Sequence, residues 1–296
     1  MMLFITTPTH FSFLECLGFL NRSNDERLHH IKNGGVRKLI KWHDRPVLFE
    51  LHFQDNRGLQ VNILNTVATK ELRDVLQKYV HEWFDLNRNL TPFYRMAQKD
   101  RLLAGVVQRH AGLRLVRIHD LFQALCWAII GQQINLTFAY TLYKRFIESF
   151  GESLDYDGNL YWLFPATGTI ASLSITDLRK LQFTGKKSEY VIGLARHLEN
   201  GELSKQRLLE SEDINAAGNE LLAVRGVGPW TANYVLMRCL GYPSAFPIED
   251  VGLHRAMQNQ LQWDRKPTLA EIRELSAGWY GWHAYATFYL YRSLYD

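Results

Sequence analysis

Cysteine is scarce in this chain of 296 residues: Cys16, Cys126 and Cys239 stand singly and far apart. That spacing excludes a disulfide framework and offers no clustered thiol site for a metal. No apolar run approaches a membrane span. The opening MMLFITTPTHFSF has neither the basic start nor the small-residue cleavage site of a secretory signal, so the chain is read as intracellular. Internal repeats and low-complexity segments are missing too. A strong excess of one charge is also absent: the formal net charge is +4, which permits nucleic-acid binding without demanding it. What is present is the composition of an ordinary globular protein, 47% apolar and 22% charged.

A chain of this length accommodates two or three cores. From Leu3 to about Leu64 the pattern is strand-rich, with alternating or β-branched runs over 36–42, 47–53 and 59–64. Turn residues punctuate these runs at 33–35, 44–46 and 55–58, which predicts an antiparallel sheet. Helices are predicted over 11–20 and 70–84, the second with Leu72, Val75, Leu76, Tyr79 and Trp83 on one face. Together they make an α+β N-terminal domain, placed at residues 1–95. Residues 87–100 carry the proline and polar residues of a linker, and the remainder, 96–296, reads as wholly helical. Asp120 is the expected cap of a helix through Gln132, and Asn135 of the next helix, with Phe138, Leu142 and Phe146 inward. Further short helices are expected over 174–181 and 186–198.

The most informative stretch is LLAVRGVGPWTANYVLMRCLGYPSAFPIED, residues 221–250. Gly226 and Gly228 bracket Val227 in a turn where a Cβ would meet positive φ or crowd an approaching partner. Pro229 suits the first turn of a helix, where its missing N–H has no acceptor. Ile214, Ala217 and Leu221 before the turn, and Ala232, Val235, Leu236 and Cys239 after it, recur at helical spacing. The element is therefore helix, tight hairpin, helix. Such a hairpin turns backbone N–H groups outward at a helix N-terminus, where a phosphate is favoured. The same pattern also serves as an ordinary tight connection.

With L-x-x-φ-x-G-φ-G-x-x-T-A running from Leu221 to Ala232, the sequence resembles the helix-hairpin-helix DNA glycosylase superfamily. Within it the chain is similar to the 3-methyladenine DNA glycosylase II family. An aspartate, Asp250 in PIEDVGLHR, follows the hairpin. Trp230 takes the slot where bifunctional members carry a catalytic lysine, and Tyr234 follows one turn on. IIGQQIN at 129–135 is similar to that family's upstream helix end. The clustered C-terminal cysteines that hold an iron–sulfur cluster in the endonuclease III branch are missing. The likeness runs over most of the chain.

The resemblance implies an α+β domain followed by an all-α glycosylase region, two helical subdomains flanking a cleft. It implies a monofunctional enzyme that flips alkylated, cationic purines such as 3-methyladenine and 7-methylguanine from duplex DNA and hydrolyses the N-glycosidic bond, initiating base excision repair. In that scheme Asp250 is the catalytic carboxylate, with the adjacent Glu249 its competitor. Trp230, Tyr234 and Trp282 form an aromatic base pocket that attracts a cationic ring. Gly226, Val227, Gly228, Thr231 and Gln132 meet DNA, and Gln133 matches the intercalating position, where the best-known relatives place an apolar wedge. The backbone carbonyls of Leu222, Val224 and Val227 match those that bind a monovalent cation. No soluble cofactor is required, duplex DNA is the partner, and the chain is expected to act as a monomer.

Blander readings stay open beside these. Gln132 and Gln133 would also simply close a helix corner, and Asp250 would also serve as a plain N-cap. Lys186 and Lys187, like Arg255, either meet phosphate or are solvated surface charges. Two other functions remain: a non-enzymatic helix-hairpin-helix module that only grips DNA, and a glycosylase for oxidised or mismatched bases. The missing lysine and the missing cysteine cluster count against the latter.

Overall fold

The structure, a computed structural model, describes residues 3–296. Strands β1 (Leu3–Ile5), β2 (His30–Lys32), β3 (Gly35–Trp42), β4 (Arg45–Gln54) and β5 (Gly58–Ile63) form one antiparallel sheet in the order β1-β5-β4-β3-β2. Side chains alternate between the faces of a strand, so Val47, Phe49 and Leu51 of β4 enter the main core while Leu48 points the other way. The main-core face is covered by helix α1 (Phe13–Leu20), which Ser12 caps by accepting the Glu15 N–H, and by α2 (Lys70–Trp83), which buries Leu72, Leu76, Val80 and Trp83.

The expected linker at 87–100 is instead helix α3 (Thr91–Ala97). Its polar residues face outward, but Leu90, Phe93 and Ala97 recur at helical spacing and are buried, with Phe93 packed on Tyr285 and Tyr289. Helix α4 (Leu103–Arg109) follows, and then Arg114, which is fully buried and donates to the carbonyls of Phe84, His10, Asp85 and Arg88. One guanidinium thus closes backbone acceptors from several loops at once.

Helix α5 (Leu121–Gly131) starts at the Asp120 cap and α6 (Leu136–Phe150) at the Asn135 cap. The expectation of a wholly helical remainder then fails. Strands β6 (Ser153–Tyr156) and β7 (Asn159–Trp162) form a hairpin whose Asp157 and Gly158 both take positive φ, the geometry of a two-residue turn. Its Tyr161, with Leu163, packs against Leu39 and Leu48 and covers the second face of the five-stranded sheet.

The remaining helices are α7 (Thr167–Ala171), α8 (Ile175–Lys180), α9 (Gly185–Glu199), α10 (Lys205–Leu209), α11 (Ile214–Leu222), α12 (Pro229–Val235), α13 (Val251–Leu261), α14 (Leu269–Leu275) and α15 (His283–Arg292). A π-helical segment, Leu236–Leu240, extends α12 until Gly241, at φ +75°, ends it. The aromatic-rich α15 is buried from Ala284 to Leu290 and forms the central pillar of the helical part. Among the described residues no helix is long and apolar enough to cross a membrane.

Candidate active site

The hairpin joins α11 to α12, and its two glycines differ. Gly226 sits at φ +94°, and a Cβ there would lie 2.4 Å from the Tyr190 ring, so both backbone and packing require glycine. Gly228, the N-cap of α12, has φ −99° and ψ 179°, extended backbone open to any residue, and a Cβ there would meet nothing within 4 Å. The expectation of positive φ holds at the first glycine and fails at the second. Only space outside the molecule gains from the missing side chain at 228. Val227 donates its N–H to the Val224 carbonyl at 3.0 Å and is buried at the turn.

Thr231, expected at the DNA surface, is 1% exposed and turned inward. Its hydroxyl accepts from Gln132 Nε2 at 3.1 Å, and the same amide nitrogen reaches the Gly226 carbonyl at 2.9 Å. Gln132 therefore ties the end of α5 to the hairpin. Beside it Gln133 is exposed and held at φ +57°, a conformation that costs a residue with a Cβ about 1–2 kcal/mol. Lys187 holds the corner from the other side, its buried ammonium donating to the Ile130 carbonyl at 2.7 Å. Burial lowers its pKa. Of the expected lysine pair, then, only Lys186 faces solvent. Arg255, one turn into α13, is exposed and makes no ion pair among the described residues.

Asp250 caps α13. Its Oδ1 accepts the Leu253 N–H at 2.9 Å and its Oδ2 accepts the Trp230 indole N–H at 2.6 Å. Both oxygens are fixed, one by a backbone N–H and one by the Trp230 indole. Glu249 is exposed and holds no such partner, so the two neighbouring acids point different ways. Gly252 keeps the carboxylate's flank clear, because a Cβ there would come within 2.9 Å of Asp250 Oδ1. From α15 the buried hydroxyl of Tyr291 faces Asp250; burial, and after it the charge of Asp250, push its pKa well up, and a hydrogen bond toward that carboxylate adds to the shift.

The Trp230 and Tyr234 rings lie 5.7 Å apart at 34°. Tyr234 is buried, and its hydroxyl accepts from Arg238 Nη1 at 3.2 Å. Trp282 stands at the head of α15 with its ring on Phe93 and Tyr285, centroids 5.8 and 6.0 Å away; no ring contact joins it to Trp230 or Tyr234. Three residues near the carboxylate escaped sequence reading: Gly252, Tyr291 and Tyr295. Gly252 lies in plain view two residues after the aspartate. The other two come near it only through tertiary packing. Among the described residues no group of three or more His, Cys, Asp or Glu gathers around a metal position.

Residues 126–281 match the model of the HhH-GPD superfamily of base excision DNA repair proteins, and residues 19–125 match the N-terminal domain of 8-oxoguanine DNA glycosylase. The sequence is 47% identical over 293 residues to the DNA-3-methyladenine glycosylase of Bacillus subtilis (strain 168), covering 98% of this chain and 96% of that one. Among solved structures it is similar to the 3-methyladenine DNA-glycosylase from Archaeoglobus fulgidus, with a TM-score of 0.83 at 22% identity, covering 100% of this chain and 98% of that one. It is also similar to the Clostridium acetobutylicum 8-oxoguanine glycosylase/lyase in complex with double-stranded DNA, with a TM-score of 0.74 at 20% identity over 98% and 97% of the two chains. At those identities the structural likeness is one of fold.

Proposed function

The chain belongs to the HhH-GPD superfamily of base excision DNA repair proteins, and from that premise we propose a monofunctional glycosylase that flips cationic alkylated purines, 3-methyladenine and 7-methylguanine among them, from duplex DNA. It is an enzyme of the DNA-3-methyladenine glycosylase type, a hydrolase of N-glycosidic bonds acting in base excision repair. The finer reading is carried by one observation: at the position where a lyase needs an amine stands Trp230, and its N–H holds the Asp250 carboxylate at 2.6 Å.

The reaction follows from these groups. Outward N–H groups at Gly228 and the head of α12 take a DNA phosphate, which the absent side chain lets approach. Gln133, exposed on its left-handed corner, fills the space left by the extruded nucleotide. The cationic base meets the faces of Trp230 and Tyr234, and the positive charge already on it weakens the glycosidic bond, so no strong acid is needed. As that bond breaks, positive charge develops on the sugar. Asp250, its oxygens fixed by Leu253 and Trp230, stabilises that charge without reorganising, and water completes the hydrolysis. An indole forms no Schiff base, so the strand stays intact and an abasic site remains.

The chemistry calls for no soluble cofactor, and one chain carries every group it needs, which favours action as a monomer. By the family likeness the carbonyls of Leu222, Val224 and Val227 are the ones to hold a monovalent cation beside the phosphate. Val224 O already accepts the Val227 N–H and keeps its second lone pair for that purpose.

Incubation with methylated duplex DNA and chromatography of the released bases tests the reading. Release of 3-methyladenine and 7-methylguanine is expected, and release of neither overturns it. The match of residues 19–125 to the 8-oxoguanine glycosylase N-terminal domain favours a second reading, excision of an oxidised purine. A duplex carrying 8-oxoguanine in the same assay separates the two.

A further inference from the structure

Tyr234 also lines a cavity of about 50 Å³ whose walls include Arg22, Arg238, Tyr140 and Glu26. It has room for a few waters and not for a purine. The two guanidiniums flank the Phe19 ring, Arg22 at 4.0 Å and Arg238 at 5.0 Å from its centroid. They are not equivalent. Arg238 is pinned, donating to the Val116 carbonyl at 2.8 Å and to the Tyr234 hydroxyl at 3.2 Å. Among the described residues Arg22 makes a single hydrogen bond, to the Phe19 carbonyl at 3.1 Å, and no ion pair. The one acid in the wall, Glu26, turns its Oε1 to the backbone N–H groups of Arg27 and Leu28 at 2.9 and 2.8 Å. Most of the five N–H donors of Arg22 therefore lack a protein acceptor while the group lies in the cavity wall. The cavity reaches the site through Tyr234, which lines it and whose ring pairs with Trp230 at 5.7 Å.

We propose that Arg22 is a specificity-determining residue of the base site: its free donors read an acceptor on the far edge of the flipped purine, favouring purines with a carbonyl oxygen at position 6 over those with an amino group. This rests on the base-excision reading above. A base resting on Trp230 and Tyr234 with its sugar toward Asp250 sends its far edge past Tyr234, where it displaces the water in front of Arg22. A 6-carbonyl then accepts from the guanidinium through its oxygen, the acceptor that 7-methylguanine and hypoxanthine share, since N7 of 7-methylguanine is alkylated and cannot complete the bidentate pairing. A 6-amino group meets donor with donor, and its recognition falls to the aromatic faces alone.

The test is single-turnover excision of 7-methylguanine, hypoxanthine and 3-methyladenine by wild type, Arg22→Met and Arg22→Lys, each first checked for melting temperature and affinity for an abasic-analogue duplex. Arg22→Met is expected to slow release of the two 6-oxo purines about 10- to 100-fold while 3-methyladenine release stays within about threefold. Arg22→Lys keeps the charge, loses the fork and falls between. If the Met variant does not fold, the selective loss must appear in the Lys variant. Equal loss on all three bases, or loss on none, overturns the proposal and makes Arg22 a packing residue. A wild type that releases none of the three instead overturns the excision reading on which it rests.

Discussion

The Asp250 carboxylate, held by Trp230, and the outer edge of the hairpin both meet the head of helix α12, yet they are built differently. The carboxylate is held from within: Trp230 and Leu253 hold its oxygens, Gly252 clears the flank and Arg238 holds Tyr234. At the outer edge the reasons run out. Gly228 is glycine where any residue fits, and Gln133 is a strained glutamine where glycine would cost less. Inner geometry serves a fixed charge, and outer geometry makes sense only against a partner outside the chain.

Chemistry and grip should therefore separate under mutation. Asp250→Asn keeps the helix cap and removes the charge, so base release should fall about 10²- to 10³-fold with abasic-duplex affinity unchanged, read by single-turnover kinetics and titration. A matching loss of binding would merge the two regions. Gly226→Val should cost about 2–4 kcal/mol of stability, from the left-handed backbone and the collision with Tyr190, measured by denaturant unfolding. Trp230→Phe keeps a ring and deletes the N–H on Asp250. Excision should drop about 10- to 100-fold, the size of a hydrogen bond to a charged group, while undamaged-duplex affinity holds. An unchanged rate would reduce Trp230 to its aromatic face.

Gly228→Val should fold within about 1 kcal/mol of wild type, since nothing crowds its Cβ, yet bind undamaged and abasic duplexes about tenfold more weakly, both alike. Wild-type affinity for both would make the hairpin a connector. The smallest effect concerns pH and a region outside both. Burial alone would raise the Glu82 carboxyl, but hydrogen bonds from His119 and Lys205 outweigh it and hold its pKa at about 2. Its folded value lies below its ordinary 4.5, so the stability it supplies is present above pH 4.5 and drains away toward pH 2. Glu82→Gln should flatten the stability profile across that window.

The hairpin and Asp250 were legible because they depend on residues with backbone demands, Gly226, Gly228 and Pro229, at short offsets along the chain. The sheet was legible for the same reason, through its turns and alternation. The Asp157-Gly158 turn carries the same kind of signal but is isolated amid helical sequence, and Leu90, Phe93 and Ala97 are hidden by the polar residues between them. What no pattern carried was side-chain pairing across the fold. Nothing in local spacing says that the Trp230 N–H finds Asp250, that Lys187 turns inward to Ile130, or that Arg22 and Arg238 flank one phenylalanine. Those contacts depend on which helix faces meet.

The central claim is that a carboxylate and water, with no amine, break the glycosidic bond. Borohydride added during turnover on duplex DNA bearing 7-methylguanine tests it most directly. The account predicts no covalent enzyme–DNA adduct, and strand breaks only after alkali or an abasic-site endonuclease. An adduct trapped in proportion to base release would contradict it, because an amine of this chain would then be the nucleophile.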